Sequence, residues 1–186
     1  MRRLLPSWKR CLHLDSMATL SKFGHFGTHF DCMGKTFPLE NCERNGVAFD
    51  VHDIRDREIA PDDIDLAKVQ AGDFVLLYTG TIEEVEYGSK AYFAVHPVIS
   101  WAFIDALIAK GVSMIGVDMS GLRVGKEHPQ ADQRCADANV YVVENLVHLG
   151  EACKLTEART AFIVHTYPLN MTGWTGLPSR VIAETL

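Results

Sequence analysis

Five short runs dense in β-branched and aromatic residues, each closed off by turn residues, constrain what this chain can fold into. They are Gly46 to Val51, Phe74 to Tyr78, Ser113 to Val117, Val140 to Val143 and Ala161 to His165. Each is nearly continuously apolar, the pattern of a strand covered on at least one face. Between them, HPVISWAFIDALIAKG reads as a helix with Pro97 near its start and Gly111 after its last turn. Ile99, Phe103, Ala106 and Leu107 fall at helical spacing within it. A weaker helix is predicted over Pro61 to Val69. A helix running straight into the strand SMIGV is half of a βαβ unit, so the expected class is α/β, a mixed sheet with covering helices.

At 186 residues without repeat, low-complexity tract or linker, the chain is read as one domain spanning residues 1–186. Its formal net charge is -6 and no Lys/Arg stripe is present, which argues against a phosphate backbone as partner. No apolar stretch approaches the roughly 20 residues of a membrane span. The opening MRRLLPSWKRCLHLDS is basic like a signal peptide, but Pro6, Lys9, Arg10 and His13 interrupt its apolar part. The expected location is therefore cytoplasmic. Five cysteines (Cys11, Cys32, Cys42, Cys135, Cys153) without any CxxC spacing suit a reducing compartment rather than a disulfide framework.

The chemistry-bearing stretch is HFGTHFDCMGK, residues 25 to 35. Two imidazoles and a carboxylate within seven residues are ligand types suited to zinc, manganese or iron. A bare HxxxH is more often a surface cluster on a helix, but Gly27, Thr28 and Phe30 make poor helix interior. On an extended strand His25, Gly27, His29 and Asp31 would share a face, with His25 and His29 roughly 13 Å apart, too far for one ion. Either the backbone turns at Gly27, or two ions are held.

The pattern His25-x-Gly27-Thr28-His29-x-Asp31 resembles the HxGTHxD signature of the cyclase family, the bacterial kynurenine-formamidase-like metal-dependent hydrolases that include isatin hydrolase. Four further segments resemble family blocks in family order: AGDFVLLYTG, AYFAVHPVISWAFIDALIAKGVSMIGVDMSG, VYVVENLVHL and YPLNMTGWTGLPSRVIAE. The resemblance implies a swivelling β/β/α fold and one or two divalent ions, zinc or manganese. It also implies hydrolysis of a carbon–nitrogen bond in a small-molecule amide, formamide or lactam, and assembly as a homodimer or higher homo-oligomer. By matching positions, His25, His29 and Asp31 would be ligands, joined by Glu144. Read from the residues alone, Glu144 is a carboxylate at a strand end, a position more often simply solvated.

Two positions depart from the family pattern. Where the signature usually ends in a histidine acting as general base, this chain has Lys35. That lysine could serve as a base only with a strongly lowered pKa, and otherwise as a fixed cation that steadies an oxyanion or an anionic substrate. Twelve residues before Glu144, the usual ligand histidine is replaced by Asp132, a harder ligand that would favour manganese or magnesium. His128, four residues earlier, is an alternative source of imidazole. Thr28, His96, Asp118 and His128 are candidates to support or orient the ligands. His52, His148 and His165 read as core or surface residues, and Cys32 as packing. Beside metal-assisted hydrolysis stand two alternatives, a polyketide-type cyclase and a metal-binding protein without turnover.

Overall fold

The computed structural model describes residues 24–94, 96–171 and 174–186. Seven strands among them, His29–Asp31 (β1), Glu43–Asp50 (β2), Phe74–Tyr78 (β3), Met114–Val117 (β4), Tyr141–Glu144 (β5), Phe162–Pro168 (β6) and Gly176–Thr185 (β7), close into a mixed barrel. Its order is β1-β5-β4-β3-β2-β6-β7. Strands β2 to β5 run parallel, while β1, β6 and β7 pair antiparallel with their neighbours. All five strands expected from the sequence are present, within a few residues at each end. The short β1 pairs with both β5 and β7 and so closes the barrel.

Alternation along the strands divides the core in two. Val47, Phe49, Val75, Leu77, Ile115, Val117 and Val142 lie on the face covered by helices Trp101–Lys110 (α3) and His128–Asp137 (α4). Ala48, Phe74, Leu76, Met114, Tyr141 and Val143 lie on the other, with Phe30 of β1 and helix Leu149–Glu157 (α5). Two short helices, Thr81–Glu84 (α1) and Lys90–Ala94 (α2), follow β3.

Two helix expectations need correction. The helix expected from Pro97 starts at Trp101, with the Ser100 hydroxyl accepting from Phe103 N–H at 3.2 Å. The residues before it are held extended by a bridge in which Ile59 N–H donates to Val98 O at 2.8 Å and Ser100 N–H to Ile59 O at 2.9 Å. Its end is as expected, with Gly111 in the left-handed region. The segment expected as a helix over Pro61 to Val69 forms two 3-10 turns instead, Pro61–Asp63 and Leu66–Lys68. Its aspartates divert the backbone: Asp63 accepts from Ala60 N–H and Asp65 from Ala67 N–H. No helix among the described residues is long and apolar enough to cross a membrane. The four described cysteines are free thiols. The opening segment and Cys11 lie outside the described residues.

Candidate metal centre

The left-handed turn at Gly27 (φ 61°) brings His25 back onto the strand that carries His29. The two imidazole centroids are 5.1 Å apart, so the extended alternative does not occur. Within β1, His29 and Asp31 share the face opposite Phe30. The β1–β5 ladder sets His29 against Glu144 and Asp31 against Val142, which puts Glu144 on that same face. Helix α4 covers this face, and from it Asp132 and His128, one turn apart, point at the same place.

Three carboxylates therefore converge: Asp31, Asp132 and Glu144, each nearly fully buried. His25 Nδ1 is 2.8 Å from Asp31 Oδ1, and His29 Nε2 is 3.7 Å from Asp31 Oδ1 and 3.5 Å from Glu144 Oε2. His128 Nε2 lies 3.1 Å from both Asp132 Oδ2 and Glu144 Oε1. Two groups of atoms, each within 4.8 Å of one another, emerge. One is His25, His29 and Asp31; the other is Asp31, His128, Asp132 and Glu144. Asp31 belongs to both.

The electrostatics call for positive charge. Burial pushes the Glu144 carboxyl well up, with the Asp31 charge adding to it, and burial raises Asp132 to about 6. Burial also opposes ionisation of Asp31, but the nearby His25 nitrogen and the charge of His29 outweigh it and lower its pKa. His29 is lowered by burial. His128 is raised to about 11, because Asp132 and Glu144 outweigh its own burial.

A divalent cation fits this donor set. His29 Nδ1 is 2.9 Å from Gly27 O; a carbonyl only accepts, so the ring proton sits on Nδ1 and Nε2 presents a lone pair to the carboxylates. That Nε2, both oxygens of Asp31, Asp132 Oδ1 and Glu144 Oε1 are buried without an aligned hydrogen bond. A lone pair aimed at carboxylate oxygens is repulsive until a cation lies between them.

The supporting network is centred on Asn145, a residue the sequence reading passed over. Its Nδ2 donates to Gly27 O at 2.9 Å, its Oδ1 accepts from Tyr92 OH at 2.6 Å, and its own carbonyl accepts from the Thr28 hydroxyl at 2.9 Å. Gly27 N–H donates to Tyr87 OH at 2.8 Å, and Thr175 Oγ1 is 2.8 Å from His25 Nε2. Asn145 is the residue after Glu144 in the VENL segment, which was its signal in the sequence. The Thr28 hydroxyl, a candidate to support the ligands, ties the segment after Gly27 to the Asn145 carbonyl. His128, expected as a supporting or substitute residue, is brought fully into the second group.

Lys35 and Asp118 are placed differently. The Lys35 ammonium is 2.8 Å from Asp137 at the surface end of α4, outside both groups, and not beside Asp31. After β1 the chain turns at Met33 and Gly34, both at positive φ, which directs Lys35 away. Asp118 was a candidate to orient a ligand histidine. Its Oδ1 instead accepts from Thr79 N–H at 2.8 Å and from the Thr79 hydroxyl at 2.6 Å, tying β3 to β4. His52 pairs with Asp50 and His165 with Glu184, both away from the centre.

The sequence profile of a family described as "Putative cyclase" matches residues 3–122. Solved structures of the same fold include a "potential metal-dependent hydrolase with cyclase activity", at TM-score 0.66 and 24% identity, covering 87% of this chain and 79% of that one. Isatin hydrolase A from Ralstonia solanacearum superposes at TM-score 0.69 with 21% identity, covering 86% and 72%. A "predicted metal-dependent hydrolase from Bacillus stearothermophilus" superposes at 0.64 with 20% identity, covering 99% and 87%. At these identities the likeness establishes the fold. No curated protein matches the chain.

Proposed function

This chain belongs to the cyclase family, and from that membership and its buried centre we propose a metal-dependent hydrolase of a carbon–nitrogen bond in an amide, formamide or lactam. One observation supports it most: five buried ligand atoms of His29, Asp31, Asp132 and Glu144 are left without an aligned hydrogen bond. His25, His29 and Asp31 would hold one divalent ion. Asp31, His128, Asp132 and Glu144 offer a second position richer in carboxylate, which favours manganese over zinc there. An ion so held acidifies water towards a pKa of ~7 and polarises a carbonyl.

The chain's own residues do the rest. Gly27 O fixes the His29 tautomer, and Thr175 and Asp31 hold the His25 ring between them. His25 and His128 keep 27% and 32% of their side chains exposed, whereas Asp31 is sealed. A substrate would therefore approach between these two imidazoles, with β1 and β5 behind the reacting bond. Three buried carboxylates make the centre hostile to anions until it is loaded with metal, so loading and substrate binding should be coupled.

The test is turnover of formanilide, N-formylkynurenine and isatin by chelator-treated protein, with and without added Mn²⁺ or Zn²⁺. Metal-dependent release of amine or ring-opened acid is expected. Stoichiometric metal binding with no turnover of any substrate would favour the one competing reading that the placement of Lys35 supports, a metal-binding protein without turnover. Family membership also supports a homo-oligomer, and light scattering showing an active monomer at micromolar concentration would count against that part.

A further inference from the structure

Hydrolysis of a carbon–nitrogen bond needs a group that moves a proton from the attacking water to the leaving nitrogen. Lys35 stands where the family resemblance would place that group, but its ammonium is engaged with Asp137 at the surface. The histidines of the centre are also committed. His25 uses Nδ1 on Asp31 and Nε2 on Thr175, His29 uses Nδ1 on Gly27 O, and His29 and His128 aim Nε2 at carboxylates.

His96 is different. The residue is only 8% exposed, and Nδ1 lies 2.7 Å from Pro97 O. A carbonyl accepts only, so the proton is on Nδ1 and Nε2 carries an unshared lone pair. Among the described residues Nε2 has no hydrogen-bond partner. The segment holding His96 is tied at both ends to the loop under His128: Ser120 Oγ donates to Tyr92 O at 3.4 Å, and Ile99 N–H to Leu122 O at 2.9 Å. Gly121, in the middle of that loop, makes room for the His128 imidazole, since a Cβ there would lie 2.9 Å from its ring atoms. Burial favours the neutral form of the His96 ring.

We propose that His96 Nε2 is the proton-transfer group of this centre, a role that rests on the hydrolase reading above. Nε2 takes a proton from water as the new carbon–oxygen bond forms. It then gives that proton to the leaving nitrogen as the carbon–nitrogen bond breaks, so that one water is consumed and His96 ends neutral. The residue that the β1 loop lacks is thus supplied from the segment between α2 and α3.

The experiment compares the parent with H96Q and H96A, each loaded with Mn²⁺ or Zn²⁺, on the same formamide and lactam substrates. Bound metal by elemental analysis and unfolding midpoint should match the parent. The turnover number should fall about 10²- to 10⁴-fold, the usual share of general acid–base catalysis, with much less change in KM. Added imidazole should restore part of the H96A rate. In histidine-labelled, Zn²⁺-loaded protein, nitrogen NMR should show His96 as the Nδ1–H tautomer without the shift of a zinc-bound nitrogen. An H96Q variant with parental turnover, loss of metal together with activity, or an Nε2–H tautomer overturns the assignment. A parent that hydrolyses none of the substrates overturns the hydrolase reading and this assignment with it; a competent parent with an unaffected H96Q overturns this assignment alone.

Discussion

His29 and Glu144 face each other directly across the β1–β5 ladder, and their side chains meet with Nε2 and Oε2 3.5 Å apart. Opposed residues of an antiparallel pair share one face of the sheet. This register therefore joins the histidine segment to the distant VENL segment and fixes where the centre lies. Helix α4 then lays Asp132 and His128 over the pair.

Asn145 holds the Gly27 turn from the other side of the same ladder. Its own backbone is left-handed (φ 58°), so glycine tests the side chain without adding strain. Asn145→Gly leaves the buried Tyr92 hydroxyl and Gly27 carbonyl short of a partner, which should cost about 1–3 kcal/mol in denaturant unfolding. Metal affinity should weaken on the order of 10- to 100-fold, as for other groups that orient ligands. Parental affinity in a competition titration would mean that the turn holds His29 without Asn145.

Lys35 offers a test in the opposite direction. Its partner is Asp137, both side chains are substantially exposed, and neither touches the centre. Lys35→Met is expected to keep the parent's metal content and turnover. A loss on the order of 10²-fold, the scale for removing an oxyanion donor, would show that the lysine reaches the reacting bond in the working enzyme.

The carboxylates set a pH dependence whose sign follows from burial. Asp132 and Asp118 move from 3.8 to about 6 on folding, and Glu144 is also raised, so at these three groups the metal-free fold binds more protons than the unfolded chain. Their contribution to stability is thus present below pH 4 and lost as pH rises through about 6. His128 is raised as well, from 6.5 to about 11, so its contribution is constant over this window and lost only at higher pH. A bound cation needs the carboxylates ionised and reverses the trend at Asp132 and Glu144. Added Mn²⁺ should raise the unfolding midpoint little at pH 4.5 and markedly at pH 7.5. An equal rise at both would show that these carboxylates do not hold the ion.

Much of the centre was legible because its residues are close in sequence. His25, His29 and Asp31 sit in seven residues, and Gly27 marked where the chain could turn. Glu144 and Asp132 were visible only through resemblance, since a lone carboxylate at a strand end or on a helix carries no signal of its own. Helix α4 was not expected, so the one-turn spacing that aims His128 with Asp132 could not be read. The parallel strands were legible from their apolar runs, but barrel closure was not, because β1 has three residues and its pairing with β5 and β7 is entirely long-range. Lys35 was misplaced for a related reason: position in a signature says nothing of the positive-φ residues Met33 and Gly34, which turn the chain outward.

The central claim is that this buried cluster holds a divalent cation, with Asp31 common to its ligand sets. The most direct measurement is an anomalous-difference map from crystals of the Mn²⁺-loaded parent, collected beside Asp31→Asn prepared identically. A cation in contact with His25, His29 and Asp31 is expected in the parent, and none there in the variant. A parent map with no peak at these residues, or an undiminished peak in the variant, would contradict it.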